Sequence, residues 1–290
     1  MSISVQSRAE SLIEALPYIQ KFRGQLFVIK YGGSAMEDDA VIDRLLRDIV
    51  LLEAVGINPV VIHGGGKAIS QRMRETGQKP RFVNGLRVTD AAAISVVESV
   101  LDGIVNPDIA ARIVKFGGRA EGIHGKTVLV GRKLPPQTEG SERVDLGFVG
   151  EVTEVRSGPI EDAVHREVVP VISPLARDEA GVIYNINADI AAASVAGQLK
   201  AAKMIYVSDV PGLMRDQNDR ESLIPSVTLA QIEKLIASSV ITGGMIPKVE
   251  SAARALRQGV EKVHFIDGRT PHALLVEVFS KKGIGTEITA

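Results

Sequence analysis

The chain has 290 residues, 34 basic against 35 acidic for a net charge of −1, and no cysteine. Near-neutrality excludes the basic field on which nucleic-acid and membrane-surface proteins rely, and the missing cysteine excludes a disulfide framework, a thiolate nucleophile and a cysteine metal site. This length buries one large or two medium cores, no apolar run approaches the ~18 residues of a membrane span, and the polar first residues, through Glu14, lack a secretory-signal pattern, so a soluble cytoplasmic protein is expected.

Residues 4–16 place Val5, Ala9, Leu12, Ile13 and Leu16 at helical spacing, and Pro17 is expected to end or kink that helix. Two readings stand side by side for it: packing on the body of its own chain, or an interlocking helix between subunits. The run Leu26–Lys30 stops at Tyr31-Gly32-Gly33-Ser34, and a second run, Pro59–His63, stops at Gly64-Gly65-Gly66. Apolar runs ending in glycines read as buried parallel strands that stop at loops. Helical patterns follow each, from about Asp39 to Val55 with Gly56 as C-cap, and from Ile69 to Gly77. Phe82 to Val88 reads as a hairpin, because Asn84-Gly85 supplies the positive φ of a type I′ turn. Thr89 is expected to cap a helix through about Gly103, and Asn106-Pro107 to cap the next, which ends at Gly117-Gly118.

Short β-rich pieces at 127–132 and 147–155 flank a polar loop at 134–146, which predicts an antiparallel insertion on a sheet edge. A helix near 159–167 leads into the apolar strand 168–173, and the turn-rich stretch 174–181 is placed as the main domain boundary. Beyond it, strand 182–186 precedes helix 187–199, and strand 203–207 ends in Ser208-Asp209-Val210-Pro211-Gly212. Thr228 caps a helix to about Ala237, Thr242-Gly243-Gly244 opens one to Gln258, and strand 262–266 and helix 271–279 close the pattern. Such alternation predicts an α/β fold: a mostly parallel open sheet with helices on both faces, a three-layer αβα sandwich with an extra N-terminal helix.

Parallel strands carry functional loops at their carboxyl ends, which collects Lys30, the two glycine turns, Asn185, Asn187, Asp189, Asp209 and Lys248. At a strand–helix junction, backbone N–H groups with no side chain in the way can bind an anion. Neither turn is a Walker loop, since Val61 and Ala68 stand at two of its key positions, and Ile69 breaks the dinucleotide fingerprint. Either turn alone is equally well explained by tight strand–helix packing. Lys248, however, sits in the first turns of a helix, where the macrodipole opposes a cation. Two lysines at glycine-rich turns point to a doubly cationic site for a transferring phosphoryl group. Asn185-x-Asn187-x-Asp189 reads either as an N-cap with an acidic first turn, or with Asp189 as an orienter paired to both lysines. Arg87 is either a solvated strand charge or a bidentate fork for a carboxylate. The five histidines, at 63, 124, 165, 264 and 272, show no metal-ligand spacing and read as structural, and Ser34 lacks a nucleophile elbow.

The segments Val28-Ile29-Lys30-Tyr31-Gly32-Gly33-Ser34-Ala35-Met36, Val61-Ile62-His63-Gly64-Gly65-Gly66 and Asn84-Gly85-Leu86-Arg87-Val88-Thr89-Asp90 resemble the N-terminal motifs of the N-acetylglutamate kinases, members of the amino-acid kinase family. Tyr184–Asp189 and Gly243-Gly244-Met245-Ile246-Pro247-Lys248-Val249 resemble their C-terminal ones, so the likeness runs along essentially the whole chain. The resemblance implies the amino-acid kinase fold and ATP-dependent phosphorylation of the side-chain carboxylate of N-acetyl-L-glutamate, a step toward arginine. It implies transition-state stabilisation by Lys30 and Lys248, oriented by Asp189. It implies backbone donors at Gly32, Gly33, Gly65 and Gly66, the latter pair also to the acyl substrate, whose α-carboxylate Arg87 and Asn185 would clamp. Asp209 and Gly212 would lie against the nucleotide, which brings Mg²⁺; no metal ligand is expected from protein side chains. The domains so implied are an N-terminal helix at 1–22, an acyl-amino-acid part at 23–175 and a nucleotide part at 176–290.

Leu12–Ile19 resembles the extra N-terminal helix of the arginine-inhibited members, and His272 to Thr286 their C-terminal arginine-binding segment. That likeness implies hexameric rings built as trimers of dimers, and feedback inhibition by L-arginine with Tyr18, Lys203, His272 and Glu277 near its site. Some relatives bind a PII signalling protein, a partner the residues leave open. Lys67, Pro107 and the polar segment 131–146 depart from the family pattern. The alternatives are a relative acting on aspartate, carbamate, glutamate or a nucleotide monophosphate, and a non-catalytic sensor, against which the intact Lys30, Asp189 and Lys248 argue.

Overall fold

The computed structural model describes residues 5–33, 38–216 and 219–290, apart from the side chains of residues 5, 7 and 8. Ser34, Ala35 and Met36 of the first glycine turn, and the side chain of Val5, therefore lie outside the described residues. Helix α1 (Val5–Phe22) leads into β1 (Leu26–Tyr31), α2 (Asp39–Ala54), β2 (Asn58–His63) and α3 (Gly66–Glu75). The hairpin β3 (Phe82–Val83) and β4 (Leu86–Arg87) precedes α4 (Ala91–Val100), a π-helical turn (Leu101–Val105) and α5 (Asn106–Lys115). Next come β5 (Ala120–Ile123), α6 (Gly125–Val128), β6 (Leu129–Lys133), the hairpin β7 (Gln137–Glu139) and β8 (Glu142–Val144), and β9 (Val149–Val155). Helix α7 (Gly158–His165) is followed by β10 (Val169–Ile172), β11 (Leu175–Arg177) and β12 (Ile183–Ile186). The rest comprises α8 (Ala188–Gln198), β13 (Lys203–Ser208), β14 (Ser226–Thr228), α9 (Leu229–Ala237), α10 (Met245–Arg257), β15 (Lys262–Asp267), α11 (Ala273–Phe279) and β16 (Thr286–Thr289).

Among the described residues the main sheet has the order β14-β16-β15-β13-β1-β2-β10-β5, parallel throughout except where β16 runs against β15. Strand β1 is central, with Tyr31 beside His63 of β2 and Lys30 beside Tyr206 of β13. Side chains alternate across a strand, so each central strand feeds two cores. Val28, Val60, Ile62, Met204 and Tyr206 pack with α8 and α10 on one face. Phe27, Ile29, Tyr31, Val61, Ile205 and Val207 pack with α2, α5 and α11 on the other. This is the expected three-layer sandwich. No helix of the described residues is long and apolar enough to cross a membrane.

Several local expectations need correction. Pro17 does not end the first helix, which runs on to Phe22; the lost N–H bond and the crowding of the carbonyl four residues back are tolerated, with the last turn docked by Phe22 meeting Phe27 edge-on at 5.2 Å. Leu12, Ile13 and Leu16 remain 73%, 68% and 43% exposed, so this stripe does not pack on its own chain. Asp90, not Thr89, caps α4, accepting from the Ala93 N–H at 2.8 Å. Asn106 caps nothing: its backbone is helical, and the π turn joins α4 to α5 without a break. Strand β12 leaves the main sheet altogether. It closes a small barrel in the order β11-β12-β9-β6, so the residues at 127–132 and 147–155 form part of a separate unit rather than a sheet-edge insertion, and the hairpin β7–β8 occupies the polar loop between them. The Asn84-Gly85 turn is as expected, with φ of +50° and +78°.

Candidate active site

Alternation along β1 decides where its lysine goes: Lys30 shares a face with Val28, toward α8 and α10 rather than α2. There its ammonium lies 2.9 Å from Asp189 Oδ1, in a pair whose side chains are only 10% and 15% exposed. Asp189 is placed by Asn187, whose side chain caps α8 by accepting from the Asp189 N–H at 2.8 Å. The stretch 185–189 thus supplies an N-cap, and its Asp189 pairs with one of the two lysines, Lys30. Lys248, half-buried in the first turn of α10, belongs to the same cluster. Burial pushes its ammonium below the ordinary lysine range, and Lys30 presses the same way while Asp189 and Asp209 oppose. Tyr206 donates to Ser251 Oγ, and Ser251 to the Asp189 carbonyl, both at 2.8 Å. That relay ties α8, α10 and β13 together beneath the three charges. Gly32 is needed for a close approach, since a Cβ there would stand 2.9 Å from Lys30 Nζ.

Two cavities lie beside this cluster, one lined in part by Lys248 and the other by Asn187 and Ala188, which lead into Asp189. The smaller, of about 160 Å³, is lined by Gly64, Gly65, Gly66, Arg87, Asn185 and Asn187, among others. Arg87 is buried, with its guanidinium 4.7 Å from the Phe82 ring and donating to the Gly66 carbonyl and Ser70 Oγ at 2.7 Å. Asn185 donates to Thr89 Oγ1, which donates to the Arg87 carbonyl. A planar fork and an amide thus face one pocket beside a helix N-terminus, a combination suited to a carboxylate.

The larger cavity, of about 670 Å³, is lined by Asp209, Pro211, Gly212, Met214, Gly244 and Lys248, with others, a volume in the range of nucleotide-sized sites. Gly212 has φ +151°, and a Cβ there would meet Thr286 Oγ1 at 2.4 Å, so only glycine fits. Arg269, which also lines it, grips Asp267 through both oxygens and donates to the Asp209 carbonyl. Nothing local in the sequence marks Arg269, which reaches the site through pairing of Ser208 with Asp267 on β13 and β15. Gly33 lies apart from this cavity, along a third one of about 580 Å³ that also includes Tyr31 and the Gly64–Gly66 turn.

Of the four residues expected around arginine, Lys203 and Glu277 are brought together and His272 and Tyr18 stand further out. Lys203 Nζ contacts His264 Nε2 at 2.7 Å, and His264 Nδ1 lies 2.6 Å from Glu277 Oε1. Burial alone would raise the Glu277 carboxyl, but His264 and the backbone donors of Ile284 and Gly285 leave it below the usual carboxylate range. Burial lowers Lys203 to about 8. His272 caps α11 and turns its ring to Asp48 at 2.6 Å, while Tyr18 is half-buried on α1, which packs on α11. His264 was the member of this chain that sequence spacing gave no sign of.

The sequence profile described as "Amino acid kinase family" matches residues 25–267. An acetylglutamate kinase of Akkermansia muciniphila is 49% identical over 283 residues, covering 97% of this chain and 95% of its own. One of Methanocaldococcus jannaschii is 49% identical over 293 residues, covering 99% and 98%. Among solved structures, N-acetylglutamate synthase from Neisseria gonorrhoeae with coenzyme A and N-acetyl-glutamate superposes with a TM-score of 0.84 at 26% identity, over 97% of this chain and 63% of that one. The same synthase with coenzyme A and L-arginine gives 0.80 at 25% identity, over 97% and 65%. The family profile spans most of the chain and the acetylglutamate kinase relatives match it from end to end, so the chain is a kinase that belongs to the amino acid kinase family.

Proposed function

We propose that this kinase transfers the γ-phosphoryl group of ATP to the side-chain carboxylate of N-acetyl-L-glutamate, forming an acyl phosphate and ADP in a step of arginine biosynthesis. The observation that carries the proposal is Lys30 paired to Asp189, with Lys248 beside them lining a nucleotide-sized cavity and Asn187 and Ala188, just ahead of Asp189, lining a carboxylate-suited one. A carboxylate oxygen attacks the γ-phosphorus as the bond to the β–γ bridging oxygen breaks. No general base is required, because a carboxylate is ionised at neutral pH. Charge gathers on the equatorial oxygens in transit, and Lys30 and Lys248 sit to neutralise it from opposite halves of the chain, with Asp189 holding both. Gly32, Gly65 and Gly66 offer backbone donors, and Arg87 and Asn185 hold the α-carboxylate. Gly33 takes the same role from beyond the first turn, and Asp209 and Gly212 border the nucleotide. Mg²⁺, held by the nucleotide's own phosphates and by no protein side chain, would spread their charge. On this reading the part from 23 to 175 serves the acceptor and the part from 176 to 290 the nucleotide, in the cytoplasm where ATP is supplied.

The finer reading is that L-arginine inhibits the enzyme by binding near Tyr18, Lys203, His272 and Glu277. The buried Lys203–His264–Glu277 chain beneath α1 supports it, as does the gonococcal synthase solved with L-arginine. The uncovered Leu12, Ile13 and Leu16 stripe supports α1 as a link between subunits in a hexamer. ATP turnover with N-acetyl-L-glutamate, trapped with hydroxylamine and run beside glutamate, aspartate and carbamate, tests the reaction. Hydroxamate from the acetylated acid alone is expected, and turnover of another acid instead would overturn the substrate. Millimolar arginine is expected to raise the substrate concentration needed for half-maximal rate in the parent but not in Lys203→Met; parent kinetics untouched by arginine would refute the regulatory reading.

A further inference from the structure

Beneath the second glycine turn lies a histidine that the reaction as described leaves without a role. His63 ends β2 and is fully buried, on the face away from Lys30. Its Nδ1 is 2.7 Å from the Gly64 carbonyl, and its Nε2 is 3.2 Å from Asn106 Nδ2. The same Asn106 nitrogen lies 2.8 Å from the Val171 carbonyl on the neighbouring strand β10. A carbonyl can only accept, so the amide nitrogen, not the oxygen, must face Val171. Its second N–H then points at His63 Nε2, which must accept. The proton of a neutral imidazole is thereby left on Nδ1, where it is donated to the Gly64 carbonyl. Burial also lowers the imidazole to about 4, so it stays neutral at physiological pH.

Asn106 reaches this position by two devices. The π turn 101–105 carries an extra residue relative to an α-helix and swings Asn106 inward over the sheet. Gly122 on β5 makes room, since a Cβ there would stand 2.1 Å from Asn106 Oδ1. The consequence falls on the Gly64–Gly65 peptide. Its trans geometry sets the Gly65 N–H antiparallel to the Gly64 C=O, and the Gly64 N–H is itself held by the Tyr31 carbonyl at 2.7 Å. With both sides of Gly64 fastened, the Gly65 N–H is aimed away from the imidazole. Gly65 lines the acceptor cavity.

We infer that His63 is a positioning residue, locked by Asn106 as the Nδ1–H tautomer so that its hydrogen bond to the Gly64 carbonyl aims the Gly65 N–H at the group being transferred. The inference rests on the phosphoryl-transfer reading for its consequence, but not for the hydrogen bond itself, and the two are tested separately. Long-range proton–nitrogen spectra of the full-length protein labelled with ¹⁵N-histidine, assigned by loss of one signal in His63→Asn, read the tautomer directly. A neutral ring protonated on Nδ1 down to pH 5 is expected; a ring protonated on Nε2, or an imidazolium near neutrality, overturns the inference whatever the acceptor proves to be. For the consequence, asparagine carries its amide nitrogen at the place of Nδ1 and glutamine one bond further out. His63→Asn therefore keeps a donor for Gly64, and His63→Gln does not. On whichever carboxylate the parent phosphorylates, His63→Gln is expected to lose roughly ten- to a hundredfold in kcat with KM nearly unchanged, while His63→Asn stays within about threefold of the parent. Nucleotide binding and melting temperature monitor folding in both. Equal kcat in the two variants, whether high or low, overturns the positioning role.

Discussion

The Asp189 carboxylate pairs with Lys30, and its replacement by asparagine has consequences that can be worked out. At 2.9 Å the Lys30–Asp189 attraction is about 6 kcal/mol at an effective dielectric of about 20, and desolvation of both partners offsets much of it. Asp189→Asn leaves Lys30 buried without its counter-ion, a change that costs roughly 3–5 kcal/mol in closed interiors. The low end, about 3 kcal/mol, is expected because both side chains keep some solvent contact. The rate should suffer more than this implies, since both lysines lose the group that aims them; a fall in kcat of about 10²–10³ matches the loss of one well-placed donor. The pH profile gives the more discriminating test. Burial and Lys30 already lower the Lys248 ammonium, while Asp189 and then Asp209 hold it up. Removing Asp189 lowers it further, so activity that needs the protonated amine must decline at a lower pH than in the parent. Hydroxamate formation measured from pH 6 to 10, with urea unfolding at pH 7 alongside, reads all three quantities. A variant with kcat within about threefold of the parent and an unmoved alkaline limb would refute the assignment of Asp189 as the orienter of the lysines.

Gly32→Ala should place a methyl group against the Lys30 ammonium and lower kcat about 10- to 100-fold, with little loss of stability because the displaced group is the end of a flexible side chain; unfolding and turnover measured together separate the two effects. Gly212→Ala meets both a φ of +151° and Thr286 Oγ1, so a destabilisation of about 2 kcal/mol or more and weaker nucleotide binding are expected in thermal unfolding with and without nucleotide. His63 is lowered from 6.5 to about 4, so between these values the unfolded chain binds a proton that the folded one refuses. Stability from this group is complete above pH 6.5 and declines as pH falls toward 4, by about 3 kcal/mol; unfolding of His63→Asn at pH 7 and pH 4 should lack this decline, and parallel pH dependence in the two proteins would contradict it.

The parts of the fold that sequence made visible are those specified locally. The apolar runs at β1, β2, β10 and β13, the Asn84-Gly85 turn and the Thr228–Gln231 cap each carry their own signal within a few residues. The failures share the opposite property. Asn106-Pro107 has the chemistry of a helix start, but the preceding turn bonds into it with an extra residue, and the sheet carbonyl of Val171 competes successfully for the amide. Strand β12 is too short to declare which sheet it joins, and its pairing with β9 is decided by residues more than thirty positions away. In the site, Lys30, Asp189, Lys248, Arg87 and Asn185 were legible because glycines or caps flank them, or through likeness to a known pattern. Arg269 grips Asp267 two residues away but reaches the site only through the Asp209 carbonyl sixty positions off, and His264 is anchored by Lys203 and Glu277, so neither left a trace in spacing.

Sheet order also explains why the cluster sits where it does. From β1 the chain first moves to β2 on one side and later returns to lay β13 on the other, so the loops at the carboxyl ends of β1 and β13 diverge and leave a crevice between them. The smaller cavity takes its glycine turn from the end of β2, Arg87 from the β3–β4 hairpin and Asn185 from the barrel, while the larger takes its loop from β13. At the end of β1, strand parity sets Lys30 toward α8 and α10. The register of Lys30 opposite Tyr206 then brings the Tyr206 hydroxyl to Ser251 and so to the Asp189 backbone. A shift of β1 by one residue against β13 would turn Lys30 to the α2 face and undo the pair with Asp189. The geometry of the charges is therefore set by the same hydrophobic alternation that fills the two cores, and a core substitution on β1 or β13 that loosens register should cost activity well before it costs the fold.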